Sequence, residues 1–401
     1  MTRTRSPWKR TAVLSAAIVA LAACGGGGGG STSTAQTQGT GTLRIALTDA
    51  PSCGFDQVNV TVDRVRVHQS AGAGESEAGW SEVRLDPPRK INLLTLMNGV
   101  LFDLGQTALP AGQYQQLRLM LVANAGSGSP ANSVVPSGGA ETALSTPSGM
   151  QSGIKMNHSF AVPAGTLVDL VLDFDACKSI VQQGNGRYQM KPVIKVIPMA
   201  VSGSVTGTVT TTISGTAVTQ ARVSAQKDGN VLRATVPDSS GSYTLSPIDS
   251  RFAPYEIVIT MSGAATSVVT GVPVTIAGMT PVPAITLSNG SMMGKVSGTV
   301  GPAAALPATV RALEAVGTVP RVEVASGNTG GAGEYSMSLP KAAAQLATYS
   351  ASALTFSALA TATTAGKYTI VAADANDGTK VGTPNPVDIP LLDQTVNFTF
   401  P

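Results

Sequence analysis

The sequence predicts an all-β protein of tandem β-sandwich domains on a flexible N-terminal tether, and three observations predict it. Only 12% of the 401 residues are charged and 4% aromatic, while 43% are apolar; so large an apolar share argues against wholesale disorder. The 44 glycines and 25 prolines follow no three-residue period, which excludes collagen and marks many turns. Short runs rich in Val and Thr alternate apolar and polar residues, as half-buried strands do. The length is enough for two to four domains. Two histidines and two tryptophans leave little equipment for an enzyme.

The first 23 residues pair a basic segment (Arg3, Arg5, Lys9, Arg10) with an apolar run from Thr11 to Ala23. That run is too short to span about 30 Å of hydrocarbon and has the length of a secretory leader. It ends in Leu21-Ala-Ala-Cys24, which resembles the lipobox of bacterial lipoproteins. The resemblance implies that Cys24 becomes the first residue and carries a lipid. Cleavage there leaves 22 basic against 23 acidic side chains, so no basic field remains to attract nucleic acid. Gly25–Gly30 spell GxGxxG, but no strand precedes them and a dinucleotide site is excluded. Through Gly41 the segment is a tether reaching roughly 20–25 Å. In the lipoproteins it resembles, Gly beside the lipidated cysteine goes with outer-membrane sorting. No other segment has 18 uncharged apolar residues, so the lipid is expected to be the only anchor.

The first folded domain spans 42–199. Leu43–Leu47 reads as a strand. Val58–His68 reads as another, with a bulge near Asp63-Arg64 because Val58, Val60 and Val62 are out of phase with Val65 and Val67. Leu117, Leu119 and Leu121 share one strand face, as do Leu170, Leu172 and Phe174. The turns Leu109–Gly112 and Val162–Gly165 introduce these strands. Asn124–Ser152, dense in Gly, Ser, Pro and Asn, is expected to be a long exposed loop, and Pro192 marks an edge strand or strand entrance. Five motifs occur in order: Leu47-Thr-Asp-Ala-Pro51, Val58–His68, Leu109–Tyr114, Phe174–Ser179 and Lys191–Lys195. This block resembles the bacterial family called domain of unknown function 4382, typically found in secreted lipoproteins. The family brings no activity and no catalytic residue with it.

The remainder holds an internal repeat. Gly203–Gly207, Asp238–Leu245 and Tyr255–Ile259 are matched by Gly294–Gly298, Gly330–Met337 and Tyr368–Ala372. Each copy reads GxVxG, then GxYx followed by an apolar residue, then a Tyr-led β-branched strand, and its length suits a small sandwich. The pattern resembles the carboxypeptidase regulatory-like, transthyretin-type sandwich, often classed with carbohydrate-binding folds. One such domain is placed at 200–288 and a second, divergent one at 289–401. The insertion 341–364 spaces Leu346, Tyr349, Ala353 and Phe356 at helical intervals and predicts one or two short helices.

Candidate chemistry is sparse. Once Cys24 is lipidated, Cys53 and Cys177 remain, and beyond the inner membrane a structural disulfide is favoured, worth up to about 4–5 kcal/mol. With no CxxC and no nearby His set, a metal or redox pair is the weaker reading. His68 and His158 are expected to be surface or hydrogen-bonded side chains. There is no HExxH, no GxSxG and no Walker GK[ST]. Asp169, Asp173 and Asp175 alternate with Leu170, Leu172 and Phe174 and are weak candidates for calcium ligation or glycoside chemistry. The plainer reading makes them the solvated face of an edge or outer strand. Asp374-Ala-Asn-Asp-Gly378 is read as a turn. From Val201 on there is no tryptophan, and four of the five tyrosines fall on repeated strand positions, so they are expected in cores and this half is expected to bind sugars weakly.

These readings give a non-catalytic envelope lipoprotein at the outer membrane, on its periplasmic or surface face, with a binding, adhesion or structural role. The alternative is a glycan-acting enzyme or carbohydrate-binding protein using the acidic strand face. The expected partners are the membrane through the lipid and an envelope protein or glycan, with no nucleic acid, cofactor or metal.

Overall fold

The computed structural model describes residues 39–49, 54–303, 306–359, 365–374, 381–389 and 392–400. The leader, Cys24, Cys53 and the turn residues after Asp374 lie outside them.

Module 1 contains β1 (Thr40–Asp49), β2 (Phe55–His68), β3 (Ser81–Asn92), β4 (Phe102–Pro110), β5 (Gly112–Leu121), β6 (Ser133–Pro136) and β7 (Thr142–Ser145). A helical turn α1 (Pro147–Gln151), β8 (Ile154–Val162), β9 (Leu167–Phe174), a second turn α2 (Ala176–Ser179), β10 (Ile180–Gln182), β11 (Tyr188–Met190) and β12 (Ile194–Pro198) complete it. One sheet runs β12-β9-β1-β4; the other runs β10-β11-β7-β6-β2-β5-β8, with β3 also on β2. The register of β2 shifts between Val62 and Arg64, and the shift turns Val58, Val60, Val62, Val65 and Val67 all into the core. β12 is an edge strand entered after Pro192, as the proline requires.

Asn124–Ser152 is not a long exposed loop. It holds β6, β7 and α1, and buries Val134 and Leu144. Two asparagines do what an apolar pattern would otherwise do. Asn132 Oδ1 accepts from Thr61 N (2.9 Å), its amide donates to Val122 O (2.7 Å), and Asn124 holds Asn132 N (2.7 Å).

Module 2 comprises β13 (Ser202–Thr211), β14 (Arg222–Lys227), β15 (Asn230–Thr235), β16 (Ser242–Asp249), β17 (Tyr255–Thr260), β18 (Ser267–Val272) and β19 (Met279–Leu287). Module 3 comprises β20 (Met293–Gly301), β21 (Ala308–Val316), β22 (Val319–Asn328), β23 (Glu334–Pro340), β24 (Gln345–Thr348), β25 (Ser357–Ala358), β26 (Lys367–Asp374), β27 (Asn385–Asp388), β28 (Gln394–Thr395) and β29 (Phe398–Thr399). Their topologies coincide. β13 lies between antiparallel β16 and parallel β19, and β20 between antiparallel β23 and parallel β28 and β29. β14 sits between β15 and β17, and β21 between β22 and β26.

The expected helices in the insertion are absent among its described residues. β24 instead pairs in parallel with β18, so module 3 extends the sheet of module 2. The apolar spacing of the insertion serves two cores rather than one helix face. Leu346 packs on the core of module 3, Tyr349, Leu354 and Phe356 pack on that of module 2, and Ala353 is exposed. The sheet so extended is buried on both sides. Ile257 and Ile259 face the core of module 2, while Val258 and Val268 join that of module 3. Runs such as Ile257-Val-Ile259 read as continuously apolar for that reason. No helix among the described residues is long and apolar enough to cross a membrane.

Candidate functional site

The acidic trio does not form a solvated face. β9 is an interior strand, between β12 and β1; its Asp169 and Asp173, and Asp175 just past its end, take different partners. Asp169 faces Arg44 across the parallel β1–β9 ladder and takes its guanidinium at 2.5 and 2.7 Å near the surface. Asp173 is buried and ion-paired with Arg233 of module 2, whose other nitrogen donates to Thr48 Oγ1 (2.7 Å). Burial pushes the Asp173 carboxyl up, although Arg233 and Lys195 draw it down. Asp175 caps α2 by accepting from Lys178 N (3.0 Å), and its other oxygen lies 3.5 Å from Lys178 Nζ. Among the described residues no three His, Cys, Asp or Glu side chains are grouped to hold a metal ion.

From Lys178 the charged cluster continues into module 3. Glu323, 1% exposed, lies 3.7 Å from Lys178 Nζ and 3.7 Å from Arg222 of module 2, and receives Arg311 Nε at 2.6 Å. Burial pushes its carboxyl up, but the three cations outweigh burial and hold it at about 2. The backbone of Glu323 also exchanges both its hydrogen bonds with the Gln226 side chain of module 2 (2.7 and 2.8 Å). Asn328 donates to Lys178 O (2.6 Å), and Thr235 of module 2 exchanges two hydrogen bonds with Asn98 of module 1. Sequence reasoning missed Arg233, Gln226 and Glu323. The available signal was a polar residue inside an otherwise apolar strand, as in Val231-Leu-Arg-Ala234 and Val322-Glu-Val324. A polar group so placed is partnered or costs several kcal/mol, about 2–7 for a neutral one.

Beside this cluster, modules 1 and 2 enclose a cleft of about 480 Å³. Met156 and His158 of β8 and Ile194 and Val196 of β12 form one wall; Leu232, Ile248 and Phe252 form the other. Three of its ionisable groups, His158, Lys195 and Asp249, are perturbed or engaged. Burial, with a smaller push from Arg251, lowers the pKa of His158 and favours the uncharged ring. Lys195 Nζ donates to Val231 O (2.5 Å), and burial lowers its pKa. Asp249 is held below the usual range because the Arg251 guanidinium (2.5 Å) outweighs burial. The recess suits an apolar group, and among the described residues that line it no nucleophile is paired with a base.

His68 is hydrogen-bonded, as expected: Ser70 N donates to Nδ1 (2.9 Å), leaving Nε2 to donate to Ala78 O (2.9 Å), with Trp80 against the ring. Tyr243, Tyr255, Tyr335 and Tyr368 are buried in the two sandwich cores. Tyr349 donates to Pro281 O (3.1 Å). Cys177 lies in α2, while Cys53 and Cys24 fall outside the described residues.

The fold and site define an all-β chain whose charged groups join its modules. Residues 40–192 match the family model described as Domain of unknown function (DUF4382), and residues 204–288 match the Carboxypeptidase regulatory-like domain. The chain therefore carries both, in the order the motifs imply. No curated protein matches it. Among solved structures it is similar to the TIE protein of Bacillus anthracis, at 12% identity over 90% of this chain and 50% of that one (TM-score 0.17). It is also similar to the shaft pilin SpaA of Lactobacillus rhamnosus GG, at 10% identity over 50% of this chain and 98% of that one (TM-score 0.17). The minor pilin GBS52 of Streptococcus agalactiae matches at 10% identity over 62% and 97% (TM-score 0.17). At such TM-scores the module arrangements do not superpose, and no function passes from those proteins to this one.

Proposed function

We propose that this is a non-catalytic cell-envelope lipoprotein with a binding, adhesion or structural role, anchored at the outer membrane by a lipid on Cys24. The observation that carries the reading is the union of the modules. A strand of module 3 completes the sheet of module 2, and Asp173 and Glu323 bind cations across module boundaries. The candidate carboxylates for a glycan-cleaving reaction are thus engaged elsewhere, Asp173 across a module boundary and Asp169 and Asp175 within module 1. The leader and Leu21-Ala-Ala-Cys24 support the anchor. We also propose a Cys53–Cys177 disulfide, supported by Asp49, four residues before Cys53, accepting from Ala176 N (3.0 Å) beside Cys177.

The test incubates the mature protein with peptidoglycan and envelope polysaccharides. Release of no reducing ends, with impaired adhesion or envelope integrity in cells lacking the protein, is the expected result. Turnover abolished by Asp169→Asn or His158→Gln would overturn it. Fatty-acid labelling should disappear in Cys24→Ala, and denatured, unreduced protein should show no titratable thiol. Calorimetry of the mature chain with oligosaccharides should give weak binding or none at its C-terminal half.

A further inference from the structure

The described chain begins at Gly39, so the segment bearing Cys24 joins the body at the start of β1. Thr40 O accepts from Gly165 N (2.9 Å), and Thr42 stands beside Leu167 at the start of β9. β12 runs antiparallel to β9, reaches Pro198 opposite Leu170, and is followed by Met199. Ser202 Oγ donates to Pro198 O (2.8 Å), Ala277 N donates to Ser202 O (2.8 Å), and Met279 stands opposite Ser204. Three segments, 163–168, 196–203 and 271–280, therefore gather at the end of the body where the tether starts.

None of the three contains a charged residue. They nevertheless present Leu167, Met199, Ile276 and Met279 at 52%, 36%, 61% and 68% exposure. Ala277, with φ of +53°, turns the chain immediately after Ile276. Large apolar side chains gathered in this way mark a surface that is covered in use, and the charges that flank them, Arg44 with Asp169 and Arg251 with Asp249, are paired with each other. Module 3 is held at the other end of β9 through Asn328 and Lys178, and its insertion approaches this end at Tyr349, whose N donates to Thr270 O (2.9 Å) and whose hydroxyl donates to Pro281 O (3.1 Å).

We propose that this end seats on the lipid bilayer, with Ile276, Met279, Met199 and Leu167 entering the headgroup boundary. The proposal rests on the lipid-anchor reading above. A tether reaching roughly 20–25 Å keeps its root next to the membrane, so even weak interfacial affinity becomes an intramolecular contact. Uncharged segments meet no repulsion from anionic headgroups, and exposed Leu, Ile and Met are side chains that enter the acyl boundary.

The test is hydroxyl-radical footprinting of the mature protein on vesicles of phosphatidylethanolamine and phosphatidylglycerol. Met279 and Met292 are similarly exposed at 68% and 77%, and Met292 lies beyond the opposite end of β19, which makes it an internal reference. Oxidation of Met279 and Met199 should fall several-fold relative to Met292, and Ile276→Asp, a substitution on an exposed turn, should restore it. Equal oxidation of Met279 and Met292 in protein that carries fatty acid and floats with the vesicles would overturn the proposal while leaving the anchor intact. If the protein carries no fatty acid, the anchor reading fails, and the same ratio is read with protein mixed at high lipid concentration. Protection there upholds the surface; parity ends it.

Discussion

Two glutamates in the β21–β22 hairpin are equally buried and have opposite fates. Glu323 stands opposite Leu313, and Glu314, the next residue of β21, faces the other way. Glu323 meets Lys178, Arg222 and Arg311 and is held at about 2. Glu314 meets the start of the β18–β24 pairing, near Thr266 and Ala344, and among the described residues neither of its oxygens has a hydrogen-bond partner. Burial raises its carboxyl to about 8, with only a small opposing pull from Thr266 and the Ala344 backbone. Depth of burial therefore does not set the charge of a side chain here; the partners do.

Removing the partnered glutamate should have the largest effect. Glu323→Ala leaves three cations facing one another across the module junction and should cost about 3–5 kcal/mol in chemical unfolding. Between pH 4.5 and 2 the unfolded chain holds a proton on this carboxyl that the folded chain does not. The stability it contributes is therefore complete above about 4.5 and is lost as pH falls through about 2. If Glu323→Ala unfolds at the wild-type midpoint, the cluster does not hold the modules together.

Glu314 should behave with the opposite sign. Its folded form keeps a proton that the unfolded chain releases above about 4.5, so stability declines until pH passes about 8. Glu314→Gln keeps the shape without the charge. Its gain over the wild type should grow across that window and level off, at most on the order of 5 kcal/mol. A gain that does not vary with pH would mean that Glu314 is partnered.

The smallest effect extends the comparison to neutral groups in the two repeated sandwiches. Tyr335 donates to Val396 O (2.7 Å), because the parallel partner of β20 breaks there into β28 and β29 and turns a carbonyl inward. Tyr243 occupies the equivalent place opposite Gly207, and among the described residues its hydroxyl has no partner. Tyr335→Phe should therefore lose about 1 kcal/mol, while Tyr243→Phe should be neutral or slightly stabilising. Equal melting shifts for the two variants would remove the distinction.

Much of the fold was legible because local pattern and tertiary environment agreed. The five valines of β2 required a bulge, and the two GxVxG repeats each head a central strand of like topology. Legibility ended where one segment serves two neighbours. Leu346, Tyr349 and Phe356 keep helical spacing although they pack on different cores, and the Gly- and Ser-rich stretch after Asn124 is ordered by two amide side chains. Asp173 alternates with core residues as a solvated residue would; only Arg233, 60 positions away, makes it an interior one.

The parallel pairing of β24 with β18 also constrains the order of assembly. A chain made from its N-terminus completes the carboxypeptidase regulatory-like segment at residue 288, yet β18 stays an uncovered edge until Gln345–Thr348 arrives. Until then it is a template for any other extended strand. The family boundary is therefore not a boundary of independent solubility. A chain ending at Leu287 should self-associate where one continuing to the end of module 3 stays monodisperse, and light scattering distinguishes the two.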